Sequence, residues 1–311
     1  MTVRELIQQA RIDRVEAEIL LADILEVERA WLFAHGEDLV AESALTLFAD
    51  HAEARQNGEP LAYVLGYRDF RSLRLGVNRH VLIPRRETEH LVEWAIECID
   101  AGARRVLDLG TGSGAIALAC KSERPDAMLT AIDCSTEALT CAKANARSLG
   151  VQVEWLESDW FEQLGVARWD LVVSNPPYIS ASDAHLQQGD LPAEPDDALI
   201  GGQSGLESIE QIVEQAPDYL VADGWLLLEH GFDQADAVTA CMRGRGFQRI
   251  STRRDWSGQP RMTGVVRVFL APESAPNPPP ALVSYDNTPS VLKAALGRVR
   301  LPAVGVAGHK S

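Results

Sequence analysis

The run Arg105-Val106-Leu107-Asp108-Leu109-Gly110-Thr111-Gly112-Ser113-Gly114 decides how this chain folds. Its first five residues suit a short buried strand, and a helical pattern begins near Ala115. Between the two, glycines at every second position let the backbone approach a ligand with no Cβ in the way. A glycine-rich turn between strand and helix predicts an α/β fold whose ligands gather at the carboxyl ends of the strands.

Such turns serve nicotinamide, flavin and S-adenosylmethionine sites alike, and two details favour the last. The spacing is GxGxG rather than GxGxxG, and Asp108 leads it, a carboxylate where a pyrophosphate would be repelled. The next strand, Met128 to Ile132, ends on Asp133, placed to accept both hydroxyls of a ribose, while Ser135 is free to cap the helix that follows. A third strand, Val151 to Leu156, leads into Ser158-Asp159-Trp160-Phe161, where Asp159 can take an adenine amino group and Trp160 can cover a ring face.

The fourth strand, Leu171 to Val173, leaves the sheet through Asn175-Pro176-Pro177-Tyr178. Each proline fixes its own φ and the second restricts the first, so the turn is stiff. The Asn175 side-chain oxygen and the Pro176 carbonyl are two acceptors able to take both N–H bonds of an NH₂ group, and Tyr178 offers a flat face. Taken alone, these four residues equally suit a strand-ending turn. With the other three strand ends they put cofactor and acceptor chemistry on one rim.

Outside this core, residues 1–58 read as a helical domain with capping signals at Thr2-x-x-Glu5 and Asp13-x-x-Glu16. Its His35 and His51 are isolated and belong to surface or packing, so the domain is read as a substrate-positioning module. Residues 59–84 turn to short strands, a hairpin linking the two domains. Residues 85–271 form the catalytic domain, a doubly wound, mostly parallel, seven-stranded sheet of Rossmann-like type with its last two strands, Arg249 to Arg253 and Val265 to Leu270, antiparallel neighbours. Its opening, Pro84-Arg85-Arg86-Glu87-Thr88-Glu89, is either a solvated helix end or part of a substrate mouth. The acidic, Gly- and Pro-rich segment Ile179 to Leu206 reads as a functional lid. Residues 272–311, after a proline-rich break, read as a disordered tail.

The net charge of -16 counts against a phosphate-backbone partner and suits a basic protein partner. Five cysteines without CxxC spacing argue against a disulfide framework and a zinc site, so no metal is expected. No run approaches the ~20 apolar residues of a membrane span, and a cytoplasmic monomer is expected.

Together these motifs resemble the class I S-adenosylmethionine-dependent methyltransferases acting on planar amino groups. More closely, the chain is similar to the protein-(glutamine-N5) methyltransferases of bacterial peptide chain release factors. That similarity runs from the helical domain to about Leu270 and includes Gly58 to Tyr63, Ser174 to Ile179, His185 to Asp190 and Leu228-Glu229-His230-Gly231. It implies methyl transfer to the side-chain amide of the glutamine in a Gly-Gly-Gln motif. Gly110, Thr111, Gly112, Ser113, Gly114, Asp133 and Trp160 would then line the S-adenosylmethionine site, and Asn175, Pro176, Pro177 and Tyr178 would hold the glutamine. Arg86 stands where the family usually has Pro, and the tail inherits nothing. The chain's own Gly201-Gly202-Gln203 is read as part of a glycine-rich lid, not as a substrate. The rival readings are an adenine amino-methyltransferase, a non-catalytic S-adenosylmethionine-binding protein, and the sister enzyme for a ribosomal-protein glutamine.

Overall fold

The computed structural model describes residues 1–266. The expected tail, 272–311, and the last residues of the expected catalytic domain lie outside the described residues. The chain begins with five helices, α1 (Val3–Gln9), α2 (Arg14–Ile24), α3 (Arg29–Ala34), α4 (Glu42–Gln56) and α5 (Leu61–Leu65). The two capping signals work as the sequence suggests: Thr2 and Glu5 exchange hydrogen bonds across the first turn of α1, and Asp13 accepts from Val15 N and Glu16 N. Leu20, Leu21, Leu32 and Phe48 close a core among these helices.

The α5 segment corrects the expectation that residues 59–84 turn to short strands from their start. The Pro60 carbonyl accepts from Tyr63 N and Val64 N, and Gly66, at φ 78°, stops the turn. The hairpin follows it, with β1 (Tyr67–Phe70) antiparallel to β2 (Leu73–Gly76).

Next come α6 (Thr88–Asp100), β3 (Arg105–Leu109), α7 (Ala115–Glu123), β4 (Met128–Asp133), α8 (Thr136–Leu149), β5 (Glu154–Glu157) and β6 (Trp169–Ser174). After them lie α9 (Asp196–Leu199), α10 (Glu207–Tyr219), β7 (Leu220–Glu229), α11 (Ala235–Gly244), β8 (Gln248–Arg254) and β9 (Pro260–Val266). The large sheet has seven strands in the order β5-β4-β3-β6-β7-β9-β8, with β9 antiparallel to both of its neighbours and the pairs among β5, β4, β3, β6 and β7 parallel. Alternation along β3 builds the two layers. Val106 packs into a cluster with Leu91, Leu118 and Leu171, while Leu107 and Leu109 pack into another with Val172, Ile209 and Leu226.

Two strands differ from the sequence reading. The third starts at Glu154, so Val151 and Val153 pack from a loop onto the core. The last starts at Pro260 instead of Val265. Its Arg261, Thr263 and Gly264 carry no apolar pattern, because the space above Gly264 is filled by Leu227 and Trp94. That packing is testable. A Cβ on Gly264 would lie 2.5 Å from Leu227 Cδ2 and 2.6 Å from Trp94 Cη2, so Gly264→Ala should cost about 1–3 kcal/mol as a lower urea midpoint. Gly244→Ala, whose Cβ meets nothing within 4 Å, should be neutral or stabilising by up to about 1 kcal/mol in the same assay.

Candidate functional site

A cavity of about 490 Å³ opens at the carboxyl ends of β3, β4 and β6. Of the residues singled out by sequence, Gly110, Thr111, Gly112, Ser113, Asp133, Asp159, Trp160, Asn175 and Pro177 line it. Gly114, Pro176 and Tyr178 do not. Gly114 starts α7 at φ 87°, where a Cβ would strike Leu118 and Ala142. Pro176 is buried in the turn itself, and Tyr178 points its hydroxyl to Glu229 Oε1 at 3.3 Å.

The glycine turn is braced from below and from the side. Thr111 Oγ1 donates to Asp108 Oδ2 at 2.6 Å, and Ala117 N, in the first turn of α7, donates to the same oxygen at 3.1 Å. Asp108 therefore sits under the turn and takes an N–H that a bound phosphate would need. It is fully buried, among the described residues its Oδ1 has no partner, and burial pushes its carboxyl up to about 7. Asp133 Oδ2 accepts from Gly112 N at 2.8 Å and its Oδ1 from Ser135 N at 2.9 Å, while Ser135 caps α8 through Ala138 N. Burial raises the Asp133 pKa against the pull of these N–H groups. Each Asp133 oxygen keeps a lone pair after these bonds, so the carboxylate can still accept two hydroxyls.

Trp160 adopts φ 45°, a left-handed conformation that costs an aromatic residue energy. Ser158 holds it there, donating to the Trp160 carbonyl at 2.9 Å and accepting from Gln163 N at 3.0 Å. The conformation lays the indole beside Gly110, whose Cβ would lie 3.6 Å from Cζ3. Asn175 donates through Nδ2 to Thr88 Oγ1 at 3.1 Å, and among the described residues nothing donates to its Oδ1. Hence the helix opening at Thr88 belongs to the site and is not a solvated end, and Arg79, His80, Val81, Leu82, Pro84 and Arg85 line the same cavity.

The lid segment is pinned over the turn. Ile179 N donates to Leu199 O and Gly201 N to Ile179 O, so Ile179 and Ile200 pair as a parallel bridge. A Cβ on Gly201 would lie 2.4 Å from the Pro177 carbonyl, and Gly205 packs as tightly on the Tyr178 carbonyl, to which Gln234 Nε2 donates at 3.0 Å. Glu194, buried, accepts from Ile83 N and from Arg85 Nη2. Arg55 reaches Asp190 at 3.2 Å and Glu16 at 2.9 Å, which ties α4 to the lid. Sequence reasoning missed Thr88, Gln234, Glu194 and Asn145 as supports. Asn145 bonds Gly76 and the Ser113 carbonyl, and one polar residue among the several of α8 gives no warning of such a tie. Glu229 had a signal, a carboxylate closing the apolar run Leu226-Leu227-Leu228.

The cavity suits a nucleoside without phosphates: carboxylates at Asp133 and Asp159, an indole beside the glycine turn, and buried Asp108 behind it. Fold and site thus define a doubly wound methyltransferase that uses S-adenosylmethionine. In agreement, the Methyltransferase small domain matches residues 91–190 and the PrmC N-terminal domain matches residues 2–66. The release factor glutamine methyltransferase of Xylella fastidiosa (strain 9a5c) is 47% identical over 81% of this chain and 93% of its own length. That of Pseudomonas aeruginosa is 47% identical over 80% of this chain and 91% of its own. The solved hMettl16 catalytic domain, in complex with MAT2A 3'UTR hairpin 6, is 13% identical, covers 76% of this chain and 84% of that one at a TM-score of 0.51, and shares the fold alone. The chain belongs to the release factor glutamine methyltransferase family.

The Asp108 charge supplies a pH test. Because burial raises its pKa from 3.8 to about 7, its contribution to stability is full below about 4 and lost as pH rises through about 7. Urea unfolding of Asp108→Asn should therefore gain on the wild type between pH about 4 and about 7 and gain no more above that. A difference that does not change with pH would contradict the buried-charge account.

Proposed function

We propose that this chain transfers a methyl group from S-adenosylmethionine to the side-chain amide nitrogen (N5) of the glutamine in the Gly-Gly-Gln motif of peptide chain release factors. The observation that carries this reading is Asn175, held by Thr88 at its NH₂ end so that its oxygen is left to accept from an amide. Full-length relatives named for that reaction support it.

Gly110, Thr111, Gly112, Ser113 and Gly114 shape the donor site with their backbone, Asp133 accepts the ribose hydroxyls, and Asp159 and Trp160 take the base. When bound, S-adenosylmethionine supplies a methyl group already activated by its sulfonium charge. The chain's own contribution is orientation. Asn175 Oδ1 and the Pro176 carbonyl accept the two amide N–H bonds, and the stiffness of Asn175-Pro176-Pro177-Tyr178 keeps both aimed, so the nitrogen lone pair is turned toward the methyl. Tyr178 anchors the turn from behind the cavity wall, its hydroxyl donating to Glu229 Oε1. The amide proton becomes acidic only as the methyl arrives and leaves to water, so no general base is assigned.

Residues 1–58 serve as the substrate-positioning domain, 59–84 as the linker and 85–271 as the methyltransferase domain. The tie from Arg55 to Asp190 supports a positioning role for the first. The protein works as a cytoplasmic monomer on a protein substrate, without nucleic acid. The net charge of -16 supports a partner other than nucleic acid, and among the described residues no helix is long and apolar enough to cross a membrane. Gly201-Gly202-Gln203 is not its own substrate: the Gly202 carbonyl accepts from Ala181 N and the Gln203 carbonyl from Ser180 Oγ, which holds the tripeptide in the lid.

With labelled donor, the label should appear on release factors and not on ribosomal proteins or nucleic acid. Asn175→Ala should lower that transfer by about a hundredfold or more while S-adenosylmethionine affinity stays unchanged. Asp133→Ala should instead weaken S-adenosylmethionine binding by about tenfold or more in calorimetry, as expected for loss of charge-assisted hydrogen bonds. Intact transfer in the first variant, or intact affinity in the second, would overturn the assigned role.

A further inference from the structure

We propose that Phe232 and Trp256 form a docking platform on the rim of the cavity, on which the protein substrate rests apolar side chains beside its Gly-Gly-Gln tip. The inference rests on the protein-substrate reading above. A cavity of about 490 Å³ is of small-ligand size, so it takes the donor and a glutamine side chain while the body of the acceptor protein stays outside. Whatever carries the glutamine must therefore lie against the loops at the carboxyl edge of the sheet. Two of those loops present an aromatic ring to solvent. Phe232, in the turn after β7, is 52% exposed, and Trp256, in the turn between β8 and β9, is 73% exposed. Among the described residues the one other exposed Phe or Trp is Phe33. Strand pairing fixes the place of both turns. Glu229, the last residue of β7, stands opposite Met262, and Arg254 stands opposite Pro260, so residues 255–259 extend past the same edge at which Asn175 leaves β6.

Hydrogen bonds hold both rings outward. The Trp256 turn is closed at three points: Asp255 N donates to the Gln259 carbonyl at 2.8 Å, Gly258 N to the Asp255 carbonyl at 2.9 Å, and Gln259 N to Asp255 Oδ1 at 2.9 Å. The indole stands edge-on to the His90 ring, 4.6 Å between centroids and 79° between planes, which keeps it beside the first turn of α6, two residues past the Thr88 that holds Asn175. One ion pair joins the two aromatics: Arg261 Nε lies 3.2 Å from Asp255 Oδ2, and its guanidinium lies 5.7 Å from the centre of the Phe232 ring. The Phe232 turn is tied in its own right to the acceptor turn, since Gly231 N donates to Gln234 Oε1 and Gln234 Nε2 to the Tyr178 carbonyl. Platform and acceptor turn are thus braced together. An exposed Trp already fixed in place loses little freedom on binding and buries a large apolar surface, which is the character of an interface anchor. The occupant is the acceptor protein and not a second copy of this chain, because the platform adjoins the mouth through which every acceptor must pass, and a permanent partner there would block it.

The test uses the full chain as wild type, Phe232→Ala, Trp256→Ala and Trp256→Tyr, with an intact release factor as acceptor. Methyl transfer gives KM and kcat, calorimetry gives S-adenosylmethionine affinity, and light scattering gives the oligomeric state. Phe232→Ala and Trp256→Ala should each raise the KM for the release factor by about tenfold, the effect of losing a moderate interface anchor, with kcat and S-adenosylmethionine affinity within about twofold of wild type. Trp256→Tyr keeps a ring at the tip and should stay within about threefold of wild type in KM. An unchanged KM in either alanine variant overturns the proposal. So does a rise in KM matched by an equal loss of kcat or of S-adenosylmethionine affinity, which would mark the two residues as structural. A wild-type dimer that Trp256→Ala turns into a monomer would assign the platform to a second copy and overturn the proposal as well. A wild type that does not methylate the release factor would sink the underlying reading instead, an outcome distinct from these.

Discussion

Strands of a parallel sheet all deliver their carboxyl ends to one edge, and the register here makes that edge a single line. Leu109 stands opposite Ile132 on one side and Ser174 on the other, and Ser174 stands opposite Leu228. The residues just past these positions are Gly110, Asp133, Asn175 and Glu229, so pairing alone brings the glycine turn, both carboxylates and the amide together. The Ser174 hydroxyl, donating to the Leu109 carbonyl at 2.7 Å, locks the two central strands where the line matters most. A slip of one residue in β6 would turn Asn175 to the other face of the sheet.

The rest of the molecule keeps that line rigid and covered. The glycine turn rests on a buried carboxylate, the β4 end is tied to it through Asp133, and the Asn175 turn is clamped from outside by Gly201, Gly205 and Gln234. The glycines of the lid are thus demanded by close approach to the Pro177 and Tyr178 carbonyls, which leaves no space for a Cβ. Rigidity here has a cost in buried charge: Asp108 and Glu229 are both fully buried with pKa values pushed up to about 7, and each keeps an oxygen without a partner among the described residues. Both lie immediately behind residues that form the cavity wall, where a fixed dipole is worth most in a low dielectric.

Much of this was legible in the sequence, because the signals were local. Glycines at alternate positions after an apolar run, an acid closing the next strand and two prolines after an asparagine each constrain the backbone where they stand. The two-layer sheet followed from the alternation of strand and helix. What escaped was non-local. The α5 helix hides because five residues are too few for a period, and β9 hides because Leu227 of β7 and Trp94 of α6 fill the space over its own Gly264. Thr88 reads as one more residue in a charged helix start until the fold sets it 3.1 Å from an amide that follows 87 positions later. Tyr178 and Pro176 were found by motif, yet their side chains stand behind the cavity wall, since a motif names residues and not the directions they point.

The central claim is geometric: the methyl acceptor is a primary amide gripped by the Asn175 oxygen and the Pro176 carbonyl. A crystal structure of the chain with S-adenosylhomocysteine and a Gly-Gly-Gln peptide measures it directly. The account predicts the glutamine side-chain nitrogen within about 3 Å of both oxygens, with Asn175 Nδ2 still on Thr88. A glutamine bound elsewhere on the rim, or held by an Asn175 whose NH₂ faces it, would contradict the account.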